Sequence, residues 1–137
     1  MLKSVKVRDY MSRDLVTFNE HMDLFKAIDV LLANRISGAP VIDSAGHLIG
    51  LLSESDCLRS ILSGSYFEEV GGTISSVMTV VVETIDADAD IVKAAEHFIH
   101  KGRRRLPVVD EGRLVGQISR RDILRAVKAY NEHGAPK

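Results

Sequence analysis

Ile36-Ser37-Gly38-Ala39-Pro40-Val41-Ile42-Asp43, continued by His47-Leu48-Ile49-Gly50-Leu51-Leu52-Ser53-Glu54-Ser55-Asp56, is the stretch on which the fold turns. Val41-Ile42 and Leu48 to Leu52 are apolar runs of strand length, and Ala45-Gly46 between them supplies a turn. Ser53-x-x-Asp56 then opens a helix, expected over Asp56 to Leu62 and ending near Ser63-Gly64. The same plan returns as Leu106-Pro107-Val108-Val109-Asp110 and Arg113 to Ser119, ending in Ser119-x-x-Asp122.

Working outward, the upstream elements repeat as well. Met11 and Met78, Thr17 and Thr84, Ala27 and Ala94, and Pro40 and Pro107 are each separated by 67 residues. Gly50 and Gly116, Ser53 and Ser119, and Asp56 and Asp122 are separated by 66. The one-residue loss falls in the hairpin turn, where Asp-Ser-Ala-Gly becomes Asp-Glu-Gly, and turns are where length changes are tolerated. Each copy opens on a lead-in, Val5–Met11 or Ile74–Met78. The apolar runs Leu15–Phe18 and Val80–Val82 are expected to be the first strands. Leu24, Ala27, Ile28, Leu31 and Leu32 then mark an amphipathic helix, as do Ile91, Ala94, Ala95, Phe98 and Ile99. Asp86, Asp88 and Asp90 read as acids at the start of that second helix. The last helix is expected from Asp122 to about Tyr130, followed by a loose tail from Glu132.

Each copy is thus β-α-β-β-α, and the class is α+β with an α/β-like crossover. Two pseudo-symmetric repeats, 5–64 and 73–130, joined by a linker at 65–72, are expected to pack through their small sheets. Composition sets the bounds. The 137 residues suit one sizeable core, and a net charge of −1 argues against broad capture of nucleic acid. Cys57 is the sole cysteine, which fits a reducing cytoplasm. The N-terminus lacks the apolar core of a signal peptide, and no apolar run reaches the roughly 18–20 residues of a membrane span. No Ser-His-Asp order and no phosphate-binding glycine loop are present, so catalysis is not expected. His97 and His100, with Glu96, lack a third ligand at metal-binding spacing.

Taken alone, Ser53-x-x-Asp56 and Ser119-x-x-Asp122 read as helix capping boxes. Arg103-Arg104-Arg105 reads as basic residues at a helix C-terminus. With the duplicated Pro-led hairpin beside them, the chain resembles a tandem pair of CBS domains, the cystathionine-β-synthase regulatory module, over about residues 5–128. The resemblance implies a stand-alone pair that binds an adenosyl compound (AMP, ADP, ATP or S-adenosylmethionine) between the copies. It implies that occupancy is signalled to an enzyme or transporter in trans, and that the pair forms a homodimer. Asp56 and Asp122 would accept from the ribose hydroxyls, with Ser53, Ser55, Ser119 and Arg120 beside them, and Arg104 and Arg105 would meet phosphate. The adenine wall would be Leu15, Val16, Thr17, Ile36 and Ser37 opposite Asp122, and Val81, Val82 and Glu83 opposite Asp56. Plain core is the competing reading for these apolar residues.

The first copy has Ser37 and Gly38 where the second has Arg104 and Arg105, so the two clefts are expected to differ. Asp56 is expected to matter more, drawing Arg104 from the opposite copy, and each carboxylate is expected to lack a partner in an empty cleft. The alternative function is a ligand-independent dimerisation module with vestigial clefts.

Overall fold

The computed structural model describes residues 1–63, 72–80 and 82–133. Gly64, the linker from 65 to 71, Val81 and the tail beyond 133 lie outside the described residues. The elements follow the duplicated order. β1 (Phe18–Asn19), α1 (Leu24–Asn34), β2 (Gly38–Ile42), β3 (Leu48–Ser53) and α2 (Glu54–Leu62) form the first copy. β4 (Ile85–Asp86), α3 (Ile91–Lys101), β5 (Arg105–Asp110), β6 (Arg113–Ser119) and α4 (Arg120–His133) form the second. Each copy carries one three-stranded sheet, in the order β1-β2-β3 or β4-β5-β6. The first two strands of each run parallel through the helical crossover, and the hairpin adds the antiparallel third.

The first strands sit later than the apolar runs suggest. β1 and β4 are two residues long, with Phe18 opposite Val41 and Ile85 opposite Val108. Register against the buried valine of the Pro-led strand selects the one side chain that fills the core, and Phe18 and Ile85 are both buried. Leu15, Val16 and Thr17 are half-buried outside the ladder, and Val80 is exposed. The last helix also starts earlier and runs further than expected, from Arg120 to His133.

Two compact units share the chain: Val16–Val82, and Met1–Leu15 with Glu83–Lys137. Their boundaries differ from those of the sequence repeats, because each lead-in packs with the body of the other copy. Val7 is fully buried and its N–H donates to Ala89 O at 2.8 Å, while Ser12 pairs with Gln117. Ile74 is likewise fully buried, its N–H donating to Met22 O at 3.0 Å, and Thr79 pairs with Leu51. The core of one unit gathers Val7, Ile91, Phe98, Leu106 and Ile118; that of the other gathers Phe18, Leu24, Val41, Leu52 and Ile74.

Asp23 and Asp90 cap α1 and α3 by accepting from the N–H of Lys26 and Lys93. The hairpin turns differ as the deletion requires. Glu111 and Gly112 both have positive φ in the two-residue loop, the geometry of a type I′ turn. In the longer first turn Asp43 Oδ1 accepts from the N–H groups of Ala45 and His47.

The helix C-termini suggest a simple substitution. Arg35 ends α1 in the left-handed region at φ 54°, and its repeat equivalent Gly102 ends α3 at φ 66°. A left-handed Cβ carries a steric cost that glycine lacks. Arg35→Gly is expected to raise stability by about 0.5–1 kcal/mol, since the relief exceeds the added unfolded-state entropy. Urea denaturation of the two proteins checks it; a fall in midpoint contradicts it.

Candidate functional site

Both Ser-x-x-Asp steps form reciprocal caps. At the start of α2, the Asp56 N–H donates to Ser53 Oγ at 3.1 Å and the Ser53 N–H donates to Asp56 Oδ2 at 2.9 Å. At the start of α4, the Asp122 N–H donates to Ser119 Oγ at 3.2 Å and the Ser119 N–H donates to Asp122 Oδ2 at 2.8 Å. The carboxylates are therefore partnered within the protein itself, contrary to the expectation that they lack partners. One helical turn on, Arg59 donates to Asp56 Oδ1 and Arg125 donates to Asp122 Oδ1. Residues three apart on a helix share a face, which is why these arginines reach their acids. Thr79 Oγ1 also donates to Asp56 Oδ1, at 3.0 Å.

Around Asp122 lies a depression of about 470 Å³, lined by Ser12 of the first lead-in and by Arg104, Arg105, Gln117, Ser119 and Asp122 together with Arg120 and Arg121. The side chains of Arg104, Arg105 and Arg121 are exposed, and none makes a hydrogen bond or ion pair among the described residues. Arg120 is tied down, its Nε donating to Arg103 O at 2.9 Å. The depression therefore joins a carboxylate with open acceptor capacity to three unpaired guanidinium groups. Its carboxylate can accept a pair of hydroxyls and its guanidinium groups can donate to phosphate.

The sequence candidates separate accordingly. Ser119, Arg120, Arg104, Arg105 and Asp122 come together in this depression. Arg104, which the resemblance assigns to the Asp56 cleft, lies in the same unit as Asp122 and lines the same depression. Ser53 and Asp56 form one node, while Ser55 is exposed on α2. Leu15 belongs to the unit of Asp122, whereas Val16, Thr17, Ile36, Ser37 and Val82 belong to the unit of Asp56; Val81 lies outside the described residues. Ser37 O accepts from the Glu54 N–H at 2.8 Å.

Glu83 is engaged within the other unit. It accepts from Arg103 at 3.0 Å and is bonded to His97 at 3.1 Å. These partners, Arg103 first, hold its carboxyl below the ordinary value. Of the three alternating acids only Asp90 is a helix cap. Asp88 pairs with Arg8 at 2.8 Å, which lowers its pKa, and Asp86 accepts from the Asp88 N–H. The sequence reading missed Arg59, Arg125, Thr79 and Ser12.

A family model described as the CBS domain matches residues 7–63 and 74–129. The chain belongs to the CBS-domain family. Its two matches make it a CBS pair, and the β-α-β-β-α order of each repeat is that of the CBS-pair structures it resembles. An uncharacterised protein of Methanocaldococcus jannaschii, MJ1225, is 34% identical over 119 residues. The match covers 87% of this chain and 41% of that protein, so the CBS pair spans less than half of that relative's length. The AMP complex of CBSX2, a CBS-pair protein of Arabidopsis thaliana, superposes with a TM-score of 0.78 at 26% identity, covering 93% of this chain and 98% of that one. The CBS pair of MJ0100, crystallised with 5′-methylthioadenosine and S-adenosyl-L-methionine, gives 0.72 at 25% identity, with 91% and 97% covered. Among the described residues no helix of this CBS pair is long and apolar enough to cross a membrane.

Proposed function

We propose that this CBS pair is a regulatory module that binds a phosphorylated adenosyl compound and signals its occupancy to a partner enzyme or transporter in trans. The observation that carries the reading is the Asp122 depression, whose lining combines a carboxylate suited to a ribose diol with unpaired arginines suited to phosphate. The AMP, methylthioadenosine and S-adenosylmethionine complexes of similar CBS pairs support the adenosyl class. Among AMP, ADP, ATP and S-adenosylmethionine, the arginines favour the phosphorylated members. No catalytic role is proposed, and the buried, lone Cys57 suits a reducing cytoplasm.

Calorimetric titration tests the phosphate side. Hydrogen bonds to charged groups contribute about 1.5–3 kcal/mol each, so AMP is expected to bind at least roughly tenfold more tightly than adenosine. Equal affinities would remove Arg104 and Arg105 from the site.

The same reading includes a homodimer. Leu32, Leu62, Ile99 and Leu124 are exposed on α1, α2, α3 and α4, and Phe98, Ile99, Ile123 and Leu124 line an apolar groove. Isologous pairing through these helices would cover them. Light scattering at micromolar concentration is expected to give twice the 15.1 kDa chain mass, and a monomer contradicts it. The alternative, a dimerisation module with vestigial clefts, draws on the full engagement of Asp56; absence of any adenosyl binding would favour it.

A further inference from the structure

We infer that the two duplicated acids are unequal: Asp122 is the carboxylate open to a ribose, and Thr79, with Arg59, closes Asp56. The inference rests on the adenosyl reading above and adds which site is used and what selects it.

A carboxylate offers about four lone-pair sites. At Asp56 four donors occupy them. Oδ2 accepts the N–H of Ser53 at 2.9 Å and its hydroxyl at 3.0 Å; Oδ1 accepts Thr79 Oγ1 at 3.0 Å and Arg59. At Asp122 only two donors are present among the described residues, the Ser119 N–H on Oδ2 and Arg125 on Oδ1. Burial follows the same order, with the Asp56 side chain 2% exposed and that of Asp122 13%. A vicinal diol needs two acceptor positions. Asp122 has two left while keeping both of its own partners, and Asp56 has none.

The cause is one position in the lead-ins. Thr79 and Ser12 are repeat equivalents, and their backbones make the same bridge, to Leu51 and to Gln117. The Thr79 hydroxyl reaches its acid; the Ser12 hydroxyl makes no bond to Asp122 and lines the depression instead. The basic residues fall on the same side of the asymmetry, since Arg104 and Arg105 accompany Asp122 and their equivalents Ser37 and Gly38 carry no charge.

Calorimetric titration of AMP into the full chain tests this. The expected result is one AMP per chain for the wild type, loss of that event or at least tenfold weakening in Asp122→Ala, and a second, weaker AMP per chain in Thr79→Val/Arg59→Met. Two AMP per chain in the wild type overturns the inference, as does a single event that survives Asp122→Ala. A double variant that folds, by circular dichroism, and still takes one AMP overturns the role of Thr79. If that variant does not fold, the wild-type stoichiometry and Asp122→Ala still decide between one open site and two. No heat with AMP, methylthioadenosine or S-adenosylmethionine would instead overturn the adenosyl reading itself, an outcome distinct from binding at the wrong number of sites.

Discussion

Asp122→Ala is expected to weaken AMP binding by roughly 10- to 150-fold, the equivalent of about 1.5–3 kcal/mol for a charged acceptor of ribose hydroxyls. It is also expected to destabilise the ligand-free protein. The Ser119 N–H loses its acceptor and Arg125 loses its ion pair, so about 0.5–2 kcal/mol of capping energy goes with the side chain. The two losses separate experimentally. Affinity is read by calorimetry far below the melting point, and stability by denaturation without ligand. Asp90→Ala supplies the comparison, because Asp90 caps α3 through the Lys93 N–H and lines no part of the depression. It should show the stability loss with AMP affinity unchanged within about twofold. If Asp122→Ala behaves like Asp90→Ala, the carboxylate is a cap and nothing more.

Gly116→Ala is expected to cost about 1–3 kcal/mol, the usual range for overpacking, and to reduce AMP affinity as well. A Cβ at Gly116 would lie 2.6 Å from Met11 Sδ and 2.7 Å from Ser12 O. The sulfur ends a flexible side chain and can move, but the carbonyl is backbone paired to Gln117, so the lead-in itself must shift. Ser12 lines the depression, and its displacement carries the packing defect into the site. The other unit repeats the arrangement, with a Cβ at Gly50 meeting Met78 Sδ at 2.7 Å and Thr79 O at 2.9 Å. Denaturation curves give the stability term; an unchanged midpoint for Gly116→Ala would mean that the lead-in is not held against β6.

These glycines also show what the sequence makes legible. Met11 with Met78 and Gly50 with Gly116 are matched by the repeat offset alone, because a lead-in pressed on a hairpin needs both partners in both copies. The sequence does not say which lead-in lies on which hairpin. Val7 and Ile74 are each encoded as a short buried turn, and nothing local distinguishes packing on the nearer body from packing on the farther one. The strand positions slipped for a related reason: Leu15–Thr17 is as apolar as a strand, yet register against Val41 selects Phe18. Within the site, Arg59 and Arg125 were readable, being three residues beyond matched acids on helices and 66 apart. Thr79 was not, because it meets Asp56 across 23 residues of chain and through a lead-in whose destination only the fold supplies.

A crystal structure of the chain with AMP bound would show which of the two carboxylates holds the ribose. The ribose hydroxyls are expected on the open lone pairs of Asp122, the phosphate against Arg104 and Arg105, and Asp56 still closed by Thr79, Ser53 and Arg59. AMP found away from Asp122, or a ribose seated on Asp56 with the Asp122 depression empty, would contradict it.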